Sequence, residues 1–192
     1  GLPDDALVFC CFNQSFKITA DYFGCWMRLL KAVPNSVLWL LECNHWAKAN
    51  LLAHASAQGI DGKRLIFAPR VSIDQHLARH AHADLFLDTA PYNAHTTCSD
   101  ALWMGVPVLT CAGETFASRV AGSLIKAAGL EDLVTYSLQD YEKKALYLAQ
   151  NPDLLAAMKL RLEKDKMTSA LFNTQQFTNA LEGLYHEVWL KH

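Results

Sequence analysis

"DLFLDTAPYNAHTTCSDALWMGVPVLT", residues Asp84–Thr110, decides the fold class. A short apolar run, "DLFLDT", is followed by a Pro/Asn loop. A helical run then starts at the polar triplet His95-Thr96-Thr97 and stops at Gly105-Val106-Pro107, and a second apolar run, "VPVLT", closes the stretch. Short apolar runs are buried strands when turn residues bound them, and a helix between two of them is a crossover that sets them parallel.

The same alternation extends in both directions. Upstream, "ALVFCCF" reads as a strand, and Tyr22, Phe23, Trp26, Leu29, Leu30 and Val33 recur at three- and four-residue steps on one helix face. Pro34-Asn35 ends that helix, "SVLWLLE" is a second strand, and a helix near Trp46–Gln58 stops at Gly59. "RLIFA" is a third strand and "SIDQHLARHAHA" a short helix. Downstream, "SRVAGSLIKAAGL" is a helix closed by Gly129, "DLVTYS" is a short edge strand, and the rest is helical, with breaks at Asn151-Pro152 and "MTSALFNT". The last helix, Thr174 to Lys191, carries Phe177, Leu181, Leu184, Tyr185, Val188 and Trp189 on one side, suited either to its own sheet or to another lobe. The pattern predicts a doubly wound α/β architecture, a parallel sheet covered on both faces.

Composition narrows the function. Of 192 residues, 52% are apolar and 19% charged, as in a globular domain, and the net charge is −2. With no basic block, duplex nucleic acid is excluded as the main partner, because that affinity comes largely from phosphate neutralisation. No apolar run has the length of a membrane span, and no leader peptide is visible. The opening "GLPDDALVFCC" reads as a cut edge, so the chain is expected to be a piece of a larger protein. The six cysteines form no CxxC pair and read as reduced, mostly buried thiols of a cytoplasmic protein.

Ligands of doubly wound sheets sit beyond the carboxyl ends of the strands, where strand order reverses. Three loops emerge there: "NQSFK", "PRVSIDQH" and "APYNAHTT". A helix start offers free amides and the positive end of the macrodipole, so Thr96 and Thr97 suit a phosphate; the alternative is a plain threonine cap. His95 is placed to donate to a phosphate or sugar oxygen, and Asp100 to accept from a ribose hydroxyl. Gln14 and Lys17 leave the first strand toward the same crevice, and a lysine ammonium is a compact charge for a diphosphate. His76 and Arg79 share a helix face suited to a pyrimidine. A metal site from His76, His80 and His82 is disfavoured, since His82 lies off the face of the other two. Glu114 and Ser118 read as capping residues and Arg119 as a helix-surface residue. The chain lacks GxGxxG, Walker and GxSxG fingerprints.

With these loops placed, "FNQSFKI", "VPNSVLWLL", "RLIFAP", "ADLFLDTAPYNAHTTCSDALWMGVPVLT", "GETFASRVAGS" and "SALFNTQQFTNALEGLYHEVW" together resemble the carboxyl-terminal lobe of the catalytic region of O-GlcNAc transferases, in a bacterial-type form. The resemblance implies a two-lobed GT-B fold, with residues 1–192 as the donor-binding Rossmann-like lobe and C-terminal helices. The N-terminal catalytic lobe and any tetratricopeptide repeats would lie outside this chain. It implies an inverting, metal-independent transfer of N-acetylglucosamine from UDP-GlcNAc to Ser or Thr of a protein or peptide acceptor, with UDP as product and no cofactor.

By the same resemblance Gln14 and Lys17 contact the diphosphate. His95, Thr96 and Thr97 hold the phosphates and approach the sugar, with Lys17 and His95 as the catalytic pair. Asp100 bonds the ribose, His76 and Arg79 flank the uracil, and the Val71 backbone reads the base. Ile73 and Tyr92 depart from the animal members, which carry Lys and Cys there. The alternatives are a non-catalytic nucleotide-binding or interaction module, a transferase for another sugar or acceptor, and a hydrolase of UDP-sugars.

Overall fold

The computed structural model describes residues 1–191, so the last residue of the expected 1–192 lobe lies outside the described residues. Six parallel strands form one sheet in the order β3-β2-β1-β4-β5-β6: β1 Leu7–Cys11, β2 Ser36–Leu41, β3 Leu65–Ala68, β4 Leu85–Leu87, β5 Val108–Cys111 and β6 Val134–Thr135. The helices are α1 Ala20–Ala32, α2 His45–Ala57, α3 Ile73–Arg79, α4 Thr96–Trp103, α5 Val120–Ala127, α6 Leu138–Gln150, α7 Pro152–Asp165 and α8 Thr174–Leu190. This is the predicted doubly wound α/β fold. Its strand order reverses between β1 and β4, which places the loops after those strands side by side.

The strands read as unbroken apolar runs because both faces are covered. Val8 through Phe12, Leu38 and Leu40, and Leu85 through Leu87 are all buried. Trp26 of α1 is fully buried and donates its indole N–H to the Tyr141 hydroxyl of α6 at 3.2 Å, joining the two helices inside the core. Arg28 and Glu142 pair at their rim at 2.6 Å. All six cysteines are free thiols, and only Cys43 is not buried.

The ends of several elements differ from the sequence reading. "DLFLDT" is a strand over Leu85–Leu87; at its ends the Asp84 and Asp88 amides still bond the Val8 and Leu109 carbonyls, the Asp84 carboxylate accepts the Val8 amide at 2.9 Å and the Asp88 carboxylate accepts the Thr89 amide at 2.7 Å. "SIDQHLARHAHA" is α3 followed by a 3-10 turn, His80–His82. "SRVAGSLIKAAGL" begins at Ser118, the last residue of the 3-10 turn Phe116–Ser118, and becomes helical only at Val120. The predicted stop of α4 holds: Gly105 lies at φ +78°, a left-handed conformation that costs other residues a Cβ clash. Asn151-Pro152 separates α6 from α7, with Pro152 in the first helical turn, where its missing N–H costs nothing.

α8 departs from the body of the domain. It contains no buried residue, and Phe177, Tyr185 and Trp189 are 63%, 67% and 80% exposed. Packing of its apolar side on the chain's own sheet is therefore not what the structure forms. Among the described residues no helix is long and apolar enough to cross a membrane.

Candidate functional site

The carboxyl ends of β1, β3 and β4 deliver three loops to one edge of the sheet. After β1, Gln14 heads a 3-10 turn, Ser15–Lys17, and its side-chain oxygen accepts from Arg70 Nη2 of the β3 loop at 3.2 Å. Lys17 reaches the β4 loop, where Nζ donates to the Asn93 carbonyl at 2.9 Å and stands 3.8 Å from the centre of the Tyr92 ring. Burial holds the Lys17 ammonium below its ordinary pKa, and the nearby Asp88 carboxylate opposes that shift.

The β4 loop, which contains a cis Ala90–Pro91 bond, leads into α4. His95 occupies the N-cap position, yet no side chain caps this helix. The first turn is closed by the amides of Cys98 and Ser99 bonding to the His95 carbonyl at 3.0 and 3.1 Å. The amides of Thr96 and Thr97 precede those bonds, at the positive end of the helix. The alternative, a plain threonine cap, is thus not formed: both threonines lie inside the first turn. Thr96 is exposed, whereas the Thr97 hydroxyl donates to Asn13 Oδ1 at 2.6 Å and is aimed at the β1 loop. The His95 ring lies 5.3 Å from the Tyr92 ring at a tilt of 53°, and its Nε2 is 3.4 Å from the Ala117 carbonyl.

The third loop is pinned by Arg79, whose two terminal nitrogens both donate to the Pro69 carbonyl at 3.1 Å. That bond anchors the backbone leading to Val71, so the guanidinium is committed to the loop as well as lying 5.6 Å over Phe12. His76 packs edge-on to the same Phe12 ring. Its pKa is lowered by burial and by Arg79 and raised by Asp100, which in turn is raised by its own burial and lowered by His76. His80 is fully buried, with Nδ1 on the His76 carbonyl at 2.9 Å, and burial lowers its pKa to about 4. Among the described residues no three His, Cys, Asp or Glu side chains gather as a metal set.

The structure thus draws Gln14, Lys17, Val71, His76, Arg79, His95, Thr96, Thr97 and Asp100 to one edge through contacts between the three loops. It also adds residues that the sequence reading passed over. Asp88, fully buried, accepts from Asn13 Nδ2 (3.1 Å), Thr89 N (2.7 Å) and Ala94 N (2.6 Å) on Oδ1 and from the Thr110 hydroxyl (2.6 Å) on Oδ2. Asn93 bonds Thr89 and Cys111 carbonyls with its amide and donates its backbone N–H to Ala117. The Phe116–Ser118 turn that supplies Ala117 is held by reciprocal Thr115 and Ser118 contacts, so Thr115 takes the capping part expected of Glu114. The signal available in sequence was an Asn and an Asp ending two strands that the topology makes neighbours.

A cavity of about 730 Å³ lies between the N-terminal segment and the sheet, lined by Leu2, Trp39, Ile66, Phe67 and His82. It shares Pro69, Val71 and Arg79 with the third loop of the cluster. The cluster carries the convergent polar chemistry, with the exposed Phe16 and Phe116 rings beside Tyr92 and His95.

Residues 1–181 match glycosyl transferase family 41. A probable UDP-N-acetylglucosamine–peptide N-acetylglucosaminyltransferase of Arabidopsis thaliana is 40% identical over the whole chain, which covers 20% of that protein. A UDP-N-acetylglucosamine–peptide N-acetylglucosaminyltransferase of Caenorhabditis elegans is 36% identical over the whole chain, covering 17% of it. Among solved structures, a mutant O-GlcNAc transferase of Thermobaculum terrenum superposes with a TM-score of 0.88 and 31% identity over 98% of this chain and 38% of that one. The chain spans about a fifth of the length of these curated relatives.

Proposed function

The chain belongs to glycosyl transferase family 41, and from that premise we propose that it is the donor-binding half of an inverting protein O-glycosyltransferase that moves N-acetylglucosamine from UDP-GlcNAc to Ser or Thr. The observation that carries this reading is the pairing of an uncapped helix start, at Thr96 and Thr97, with the Lys17 ammonium across one loop contact. Two sources of positive potential converge where a diphosphate would lie. In the transfer, the acceptor oxygen attacks the anomeric carbon and the bond to the β-phosphate oxygen breaks, with the electron pair leaving on UDP. Lys17 and the α4 amides balance that growing charge, and His95 donates to a phosphate or sugar oxygen. Those groups do the neutralising, so the proposal includes neither a metal nor a cofactor. The acceptor proton goes to a base outside this chain.

The loop that Arg79 fixes presents the Val71 backbone to the uracil, with His76 beside it and Asp100 toward the ribose. The protein or peptide acceptor is received with the other lobe and its repeats, in a cytoplasmic protein. Calorimetric titration with UDP, with ADP as control, tests the nucleotide assignment. We expect UDP to bind the full-length protein at least tenfold more tightly than ADP, since a pinned backbone discriminates base edges by buried hydrogen bonds. Absence of UDP binding by folded full-length protein would leave a non-catalytic interaction module as the reading.

α8 supports the second half of the proposal, docking on the other lobe. In this chain alone Trp189→Ala is expected to leave the thermal midpoint unchanged, because the ring is 80% exposed. In the full-length protein the same change should lower stability by about 3 kcal/mol, as for a buried Trp. An unchanged full-length protein removes α8 from the interface.

A further inference from the structure

Between the two arms of the site lies a buried polar chain that the chemistry above leaves unused. The Asp88 carboxylate, on the last turn out of β4, holds the Asn13 amide nitrogen at 3.1 Å, and Asn13 is also held by the Thr89 hydroxyl at 2.9 Å. The opposite end of the same amide, Asn13 Oδ1, accepts the Thr97 hydroxyl at 2.6 Å. Asn13 and Asp88 are 2% and 0% exposed, so no water substitutes for a lost partner. The remaining acceptor sites of Asp88 take the amides of Thr89 and Ala94 and the Thr110 hydroxyl, while its backbone carbonyl accepts the Tyr141 hydroxyl at 3.0 Å. Strands β4 and β5, the β4 loop and α6 therefore all fix Asp88.

We propose that Asp88 and Asn13 are positioning residues of the donor site, setting the start of α4 against the Lys17 loop through the Thr97 hydroxyl. The proposal rests on the donor-site reading above. Asn13 stands four residues before Lys17, and Thr97 lies in the first turn of α4, so this one amide joins the elements bearing the two positive groups. The join matters because electrostatic stabilisation of a leaving group depends on donors held in place before charge develops. A purely structural purpose is served more simply by apolar packing, since a buried carboxylate is costly to desolvate and isosteric apolar replacements are often neutral or stabilising. In this arrangement the Thr97 hydroxyl acts on the helix rather than on the ligand; its hydrogen is spent on Asn13.

The test is a double-mutant cycle read by UDP affinity in the full-length protein. Thr97→Val and Asn13→Ala should each weaken UDP binding roughly tenfold, and the double variant should be no weaker than the poorer single, because both break one relay. Thr97→Ser, which keeps the hydroxyl, should bind like the wild type, whereas Thr97→Val, which leaves buried Asn13 Oδ1 unpaired, should also melt lower, so affinities are compared at a temperature where every variant is folded. If Asn13→Ala does not fold, Asp88→Asn takes its place in the cycle with the same expected non-additivity. Wild-type affinity in Thr97→Val, or losses that multiply in the double variant, would overturn the relay. A hydroxyl that contacts UDP directly shows as a loss in Thr97→Val with Asn13→Ala near wild type, and that result also overturns the relay. A wild-type protein that fails to bind UDP overturns the donor-site reading itself and is seen before any variant is compared.

Discussion

Lys17→Ala in the full-length protein is expected to lower sugar transfer about a hundredfold or more while the fold survives. The ammonium is partly stripped of water, as its lowered pKa reflects, and it is held at one point by the Asn93 carbonyl and the face of Tyr92. A charge fixed before the reaction and poorly screened stabilises a developing phosphate charge far more than a mobile surface lysine does. The leaving diphosphate gains charge only as the glycosidic bond breaks, so the loss should fall more on kcat than on UDP affinity. Lys17→Arg should not restore it, because a planar fork does not fit a point contact shared with a ring face. Stability should change by about 1 kcal/mol or less, since one hydrogen bond on a half-buried side chain is lost. Steady-state transfer kinetics with a melting curve on the same samples decide the matter. An unchanged kcat would move the charge-balancing role away from Lys17.

The fold was legible because parallel strands covered on both faces leave little choice of residue. "LVFCC" and "SVLWLL" contain no alternation, and the helices between them end at glycines and prolines with a mechanical reason to stop. The three ligand-side loops followed from topology alone. Their internal wiring did not. Thr97 reads as a phosphate-facing hydroxyl until its partner Asn13 is seen, and Arg79 reads as a base-flanking group until both its nitrogens are found on Pro69. In sequence Asp88 reads as the polar end of a strand, since a sequence does not distinguish an aspartate entering solvent from one turning under a loop. α8 carries the complementary lesson. Its apolar side was plain in the periodicity, but periodicity says that a face is covered and not by what.

Asp88 should also set how stability depends on pH. Burial raises its pKa from 3.8 to about 6, outweighing the hydrogen bonds from Thr110, Ala94, Thr89 and Asn13, which lower it. The folded chain therefore binds the proton more tightly than the unfolded chain. Its contribution to stability is fully present below about pH 4 and is lost as pH rises through about 6. The displacement corresponds to about 3 kcal/mol at neutral pH. Asp88→Asn cannot ionise and keeps an acceptor for the Thr89, Ala94 and Asn13 donors. Denaturant unfolding from pH 4 to 8 should thus show the wild type losing about 3 kcal/mol relative to Asp88→Asn across the window. Asp88→Leu should be the least stable at neutral pH, by about 3 kcal/mol or more relative to wild type, because it leaves those buried donors without acceptors. Parallel pH profiles for wild type and Asp88→Asn would mean that the hydrogen bonds fully offset burial. A sloping difference would mean that the protein keeps a carboxylate where a neutral amide is more stable at neutral pH, a cost that selection for a fixed donor site explains and selection for stability does not.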